Sequence, residues 1–361
     1  MAAYTTIDDP EAYFQTVTWT GNGTDGRTIT LPGDTNMHPD FIWVKNRTDG
    51  EDHCLMDSVR TFASGKAMRT NGGDEEGGVG TASRGWVEAT SDGFTCEDGS
   101  SNANLVNASS DTYVAWCWKA GTTSGITTTG ADITPGAYSF NTTSGISIIK
   151  YEGNGTDGTN VAHALGAVPH MIICKRLENA NYWAVYHHKN TSAPNTDYLV
   201  LNTTAATGDA GIWKDTDPTS VYFRIDNSTS VNASGEDMVA YLFTSIQGYS
   251  KFGSYTGNGN ADGPFVYTGF RPALVIIKNT AASQNWTMND NKRLGYNPDN
   301  NILFPNTTGA DHTGDNIDLL SNGFKIRWDD GVNNTSGENF IYMAWAEAPF
   351  VNSSGVPCNA R

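Results

Sequence analysis

The sequence predicts an all-β protein made of three tandem antiparallel β-sandwich modules of a lectin-like kind. Three observations predict it. One pattern recurs three times in the same order. Its apolar runs are short, β-branched or aromatic, and bounded by turn residues. Few stretches of helical periodicity exceed about ten residues.

The first copy opens with WTGNGTDG at Trp19, continues through HPDFIWVKNR (38–47) and SDGFTC (91–96), and ends with NASSDTYVAWCWKAG (107–121). The second has YEGNGTDG from Tyr151, VPHMIICKR (168–176), NYWAVYHH (181–188), SVYFRI (220–225) and VNASGEDMVAYLFTSI (231–246). The third has YTGNGNADG from Tyr255, RPALVIIKN (271–279), NWTM (285–288), LSNGFKIR (320–327) and NNTSGENFIYMAWAEAP (333–349). FIWVK, MIICK and LVIIK read as strands buried on both faces, and TYVAWCW, MVAYLF and FIYMAW as the second such strand of each copy. At roughly 100 residues each, the copies have the size of a sandwich.

These landmarks divide the chain into a docking segment (1–16), a first module (17–120), a Gly/Thr-rich linker (121–146), a second module (147–248), a third (249–349) and a tail (350–361). DHCLMDSVRTFA (52–63) and DPEAYFQ (9–15) are the two stretches that suit a short helix.

The formal net charge is -17, with Lys and Arg scattered. That excludes the basic footprint of a nucleic-acid binder and disfavours anionic lipid. The first residues lack a basic stretch followed by an apolar one, and no apolar run reaches membrane-spanning length, so neither signal peptide nor membrane span is expected. Five cysteines, an odd number without a C-x-x-C pair, predict buried thiols made in reducing cytoplasm.

The GNG segments lead into strand-like continuations, which rules out a phosphate loop ending in a helix N-terminus. Gly, Asn and Asp tolerate positive φ, so the segments read as turns. Calcium is the alternative: Asp25, Asp157 and Asp262 recur after GNG, but each copy offers one carboxylate there.

No histidine recurs in all three copies, and His187-His188 reads as a strand end whose side chains diverge. No catalytic residue is assigned and no cofactor is expected. Among ten tryptophans, Trp43, Trp116, Trp118 and Trp345 lie in strand runs and read as core. Trp86, Trp213 and Trp328 stand in polar, acidic surroundings and are the candidates for exposed ligand contact.

The GNG turns, the P-x-hydrophobic-Lys strands, SDGF, and the two long stretches SIQGYSKFGSYTGNGNADGPFVYTGFRP (245–272) and IYMAWAEAPFVNSSG (341–355) resemble a family of tailed-phage virion proteins commonly labelled tail fibre or structural protein. The resemblance covers Trp19 to the end. It implies location in the virion after synthesis in the host cytoplasm, and other virion proteins as partners. It further implies self-assembly as a homotrimer or another ring-like assembly and contact with host-surface carbohydrate. Two other readings are a capsid decoration protein and a tailspike-type glycan hydrolase, with Asp329, Asp330 or Glu338 as its carboxylates.

Overall fold

The computed structural model describes residues 4–78, 83–97, 99, 104–293, 297, 300–314 and 317–358. The protein is all-β, and every strand ladder is antiparallel. In chain order the strands of the first module are β1 (Phe14–Thr20), β2 (Arg27–Thr30), β3 (Phe41–Asn46), β4 (Cys54–Asp57), β5 (Trp86–Thr90), β6 (Gly93–Glu97) and β7 (Thr112–Trp118). The second has β8 (Ala137–Asn141), β9 (Ile146–Glu152), β10 (Thr159–Ala162), β11 (Met171–Arg176), β12 (Ala184–His187), β13 (Asp197–Val200), β14 (Gly208–Asp209), β15 (Tyr222–Ile225) and β16 (Asp237–Phe243). The third has β17 (Ser250–Thr256), β18 (Phe265–Tyr267), β19 (Phe270–Asn279), β20 (Thr287–Asp290), β21 (Asn300–Ile302), β22 (His312–Gly314), β23 (Ile317–Leu320), β24 (Gly323–Ile326) and β25 (Asn339–Pro349).

One strand order recurs: β1-β7-β3-β4, β9-β16-β11-β12 and β17-β25-β19-β20. Each of these sheets packs on a smaller one, β2-β6-β5, β10-β15 and β18-β24-β23 respectively.

The burial of both strand faces has a specific cause. Successive side chains of a strand point to opposite sides, and here both sides are covered. On β7, Tyr113, Ala115 and Cys117 face the first module's own small sheet, while Val114, Trp116 and Trp118 enter a core shared by all three modules. β16 divides likewise, with Val239, Tyr241 and Phe243 turned to the shared core, and so does β25 with Ile341, Met343 and Trp345. Trp118 and Phe243 both pack edge-on against Trp345, at 5.3 and 5.5 Å between ring centroids. The modules are therefore parts of one fused body.

A head-to-tail contact closes that body. His53, Trp183 and Trp286 immediately precede β4, β12 and β20, and each donates from its ring N–H to a carbonyl of a different module. Trp183 Nε1 reaches Arg69 O and Gly72 O at 3.1 Å, Trp286 Nε1 reaches Val200 O at 3.0 Å, and His53 Nε2 reaches Phe304 O at 3.1 Å. The loop around 69–77 thus docks on the second module, the segment after β13 on the third, and the loop before β22 on the first.

The lysines that end the paired runs, Lys45, Lys175 and Lys278, are fully buried and donate to backbone carbonyls. Burial lowers each to about 8.

Several segments differ from the sequence-based expectation. Residues 121–146 do not form a free linker: β8 adds to β9, Ile133 bridges to Val161, and Ile133 and Tyr138 cover apolar surface of the second module. Residues 54–57 are strand rather than helix, because β4 pairs with β3 and buries both its faces. Pro10–Ala12 is a single 3-10 turn.

The expected docking segment packs on the protein's own body. Ile7 is buried in the shared core, Thr5 Oγ1 donates to Gln247 O at 2.8 Å, and Tyr4 OH donates to Gly269 O at 2.9 Å. Its first three residues lie outside the described ones, as do the last three of the tail, whose Ser353 N–H donates to Asp8 at 2.6 Å. All five cysteines are thiols rather than disulfides, four of them buried. Among the described residues no helix is long and apolar enough to cross a membrane.

Candidate functional site

The three GNG segments are turns clamped by a buried asparagine. Asn107, Asn232 and Asn334 are fully buried. Their Oδ1 atoms accept the N–H of Asn22, Asn154 and Asn258 at 3.2, 2.8 and 2.9 Å. Their Nδ2 groups donate onward to Thr24 O, Thr156 O and Asn260 O. The first glycine of each turn has no room for a side chain: a Cβ on Gly21, Gly153 or Gly257 would stand 1.9, 2.3 or 2.2 Å from a backbone oxygen. The second, Gly23, Gly155 or Gly259, has φ near +65°, at +66, +65 and +63°. The repeated Asn-x-Ser loop is thus the other half of the clamp.

The carboxylates after these turns are engaged with protein groups. Asp157 pairs with Lys214 at 2.5 Å, and Asp262 pairs with Lys325. The Asp25 carboxylate lies beside that of Glu97. Among the described residues no three His, Cys, Asp or Glu side chains converge as a metal site requires.

The three tryptophan candidates separate. Trp213 is 1% exposed and packs in the second module's core against Tyr186, so it offers no surface to a ligand; its 3-10 turn, Gly211–Trp213, drives the ring inward. Trp86 is half-buried against the first module's core. Trp328 is exposed at 45%, and it borders a cavity of about 240 Å³ in the third module.

Phe304, His312, Asp330, Asn333 and Thr287 line the same cavity. Asp330 Oδ1 accepts the N–H groups of Val332 and Asn333 at 3.2 and 3.1 Å, which fixes the carboxylate. Burial raises its pKa, against the lowering effect of those N–H groups. Asn333 Oδ1 accepts from Thr287 Oγ1 at 3.1 Å, while its Nδ2, fully buried, has no partner among the described residues. Glu338 is engaged elsewhere, accepting from Asn279 Nδ2 at 2.6 Å.

His187 is buried, with Nδ1 accepting from Lys189 N and Nε2 donating to Tyr342 O. His188 stacks on His170 at 4.1 Å, and burial lowers both.

Asn333 and Thr287 escape a search for motifs, since each is an ordinary polar residue near a turn. The signal lies in the repeat columns, where Asn333 falls at the position of Val106 and Val231.

A family model covers residues 9–349, described as a domain of unknown function, DUF7483. The chain belongs to this family. No curated protein and no solved structure matches it.

Proposed function

We propose that this DUF7483 protein is a structural component of a tailed-phage particle, of the appendage type, whose exposed loops meet host-surface glycan. The observation that supports the reading is the fused three-module body. The central strands of its three larger sheets are buried on both faces, leaving the smaller sheets, the turns and the loops as the outward chemistry, with Trp328 presented among them. Five cysteines kept as thiols fit assembly in a reducing host cytoplasm. No reaction is part of the proposal.

Other virion proteins are the proposed partners, and a homotrimer the proposed assembly. A chain that repeats three times within itself also fits a threefold site as a monomer, and sedimentation of the purified chain separates the two.

Cryo-electron microscopy of intact particles tests the placement. Density on tail appendages with the Trp328 loop outward is the expected result. Density on the capsid surface would replace this reading by that of a decoration protein, and absence from particles would end both.

A further inference from the structure

We propose that the cavity of the third module binds one neutral pyranose-type sugar ring. This deepens the host-glycan reading and rests on it. Three repeat columns carry the inference.

The columns are fixed by register and by a shared hydrogen bond. Cys54, Ala184 and Thr287 pair with the residue just before the buried lysine of β3, β11 and β19. Two residues further, on the same face, stand Met56, Tyr186 and Asn289. The third column is Val106, Val231 and Asn333, whose carbonyls accept from Trp19 Nε1, Tyr151 OH and Tyr255 OH respectively.

In the first two modules all three columns are apolar core. In the third they become Thr287, Asn289 and Asn333, each 0% exposed. Among the described residues, neither amide atom of Asn289, nor Nδ2 of Asn333, meets a partner. Leaving a buried amide group unpaired costs stability, because its hydration is lost without a replacing hydrogen bond. The fold does not require that cost, since its other two copies avoid it. Of this polar set, Thr287 and Asn333 line the cavity and Asn289 does not.

The rest of the lining narrows the ligand. Trp328 and Phe304 offer aromatic surface for C–H groups, the fixed Asp330 carboxylate offers an acceptor for hydroxyls, and the unpartnered Asn333 amide lies buried in the same wall. A carboxylate in the wall, on a chain of net charge -17, disfavours an acidic sugar. At about 240 Å³ the cavity is smaller than sites for drug-sized ligands, about 300–1,000 Å³, which suits a single ring.

The test uses the full chain, with saturation-transfer NMR and calorimetry against methyl glycosides of glucose, galactose, mannose and N-acetylglucosamine. At least one should bind at millimolar concentration. Both Trp328→Ala and the double variant Thr287→Ala/Asn333→Val, which restores the second module's residues, should weaken it at least tenfold. Absence of binding by every glycoside would overturn the proposal, leaving water alone on the amides, and so would binding that survives both variants. Trp328→Ala alters an exposed residue, so it keeps the test decisive if the double variant misfolds. Particles play no part in this assay, so its failure leaves the virion placement standing, and a failed placement leaves sugar binding standing.

Discussion

The joint between the first and second modules and the joint between the second and third fill the same position with different chemistry. At the first, Asp57 ends β4 and its Oδ2 accepts from Arg60 Nε at 2.7 Å and from Tyr241 OH of the second module at 2.6 Å, all of them buried. At the second, His187 ends β12 and donates to Tyr342 O at 3.3 Å, and Asn190 stands where an arginine would. The joint from the third module back to the first repeats the ionic form: Asp290 Oδ2 accepts from Arg293 Nε at 2.7 Å and from Trp116 Nε1 at 3.1 Å. Acid and base are thus kept together or replaced together. A buried charge without its partner is far more costly than a buried pair or a neutral substitute, which explains why the column changes two residues at once.

The largest expected effect breaks an ionic joint. Arg60→Ala or Arg293→Ala should each lower stability by about 3–5 kcal/mol in urea unfolding, because an aspartate is left buried and uncompensated. A loss under about 1 kcal/mol, the worth of an exposed pair, would sink the distinction between the joints. His187→Asp should be comparably harmful, and Asn190→Arg added to it should recover part of the loss.

Acid should separate the joints next. Burial holds His187 well below its ordinary value, so its neutral form is favoured in the folded state. The stability linked to it is complete above about pH 6.5, the unfolded value, and is lost as pH falls below that, at about 1.4 kcal/mol per pH unit. His53, lowered to about 3, and His163 and His170, lowered to about 4, act in the same sense. Urea midpoints should therefore drop between pH 6.5 and 4, and His187→Gln should reduce the slope by one proton. An unchanged slope would mean that His187 is already solvated in the folded protein.

At the GNG turns the modules are alike, and they serve as the control. Gly21→Ala, Gly153→Ala and Gly257→Ala each drive a Cβ into a backbone oxygen, and each should cost about 1–3 kcal/mol. A spread wider than that range, measured by thermal unfolding, would show that the three turns are not equivalent supports.

This uniformity explains what was legible in the sequence. Aromatic-GNG, the Lys-ending runs and the final aromatic strands repeat because backbone geometry demands them, so strand identity and the turn reading follow from local chemistry. The shared core did not show, since a strand buried on two faces reads alike whether its second cover is its own sheet or another module. Trp213 misled for a related reason: its polar neighbours are loop residues, while the ring itself turns inward. Trp328 has similar neighbours and stays outside. The polar columns of the third module became meaningful only once β-register showed which residues correspond.

The smallest effect belongs to Asn190→Ala. Asn190 is buried, its Oδ1 accepts from Thr207 Oγ1 at 2.6 Å, and its Nδ2 has no partner among the described residues. Removing the side chain forfeits one neutral hydrogen bond, about 0.5–1.5 kcal/mol net, but also removes an amide group that the folded state leaves unpaired. The two terms oppose each other, so urea unfolding should register about 1 kcal/mol or less. A loss matching that of Arg60→Ala would show that the second joint depends on Asn190 as heavily as the first does on Arg60. In that case neutrality would not be what distinguishes the joints.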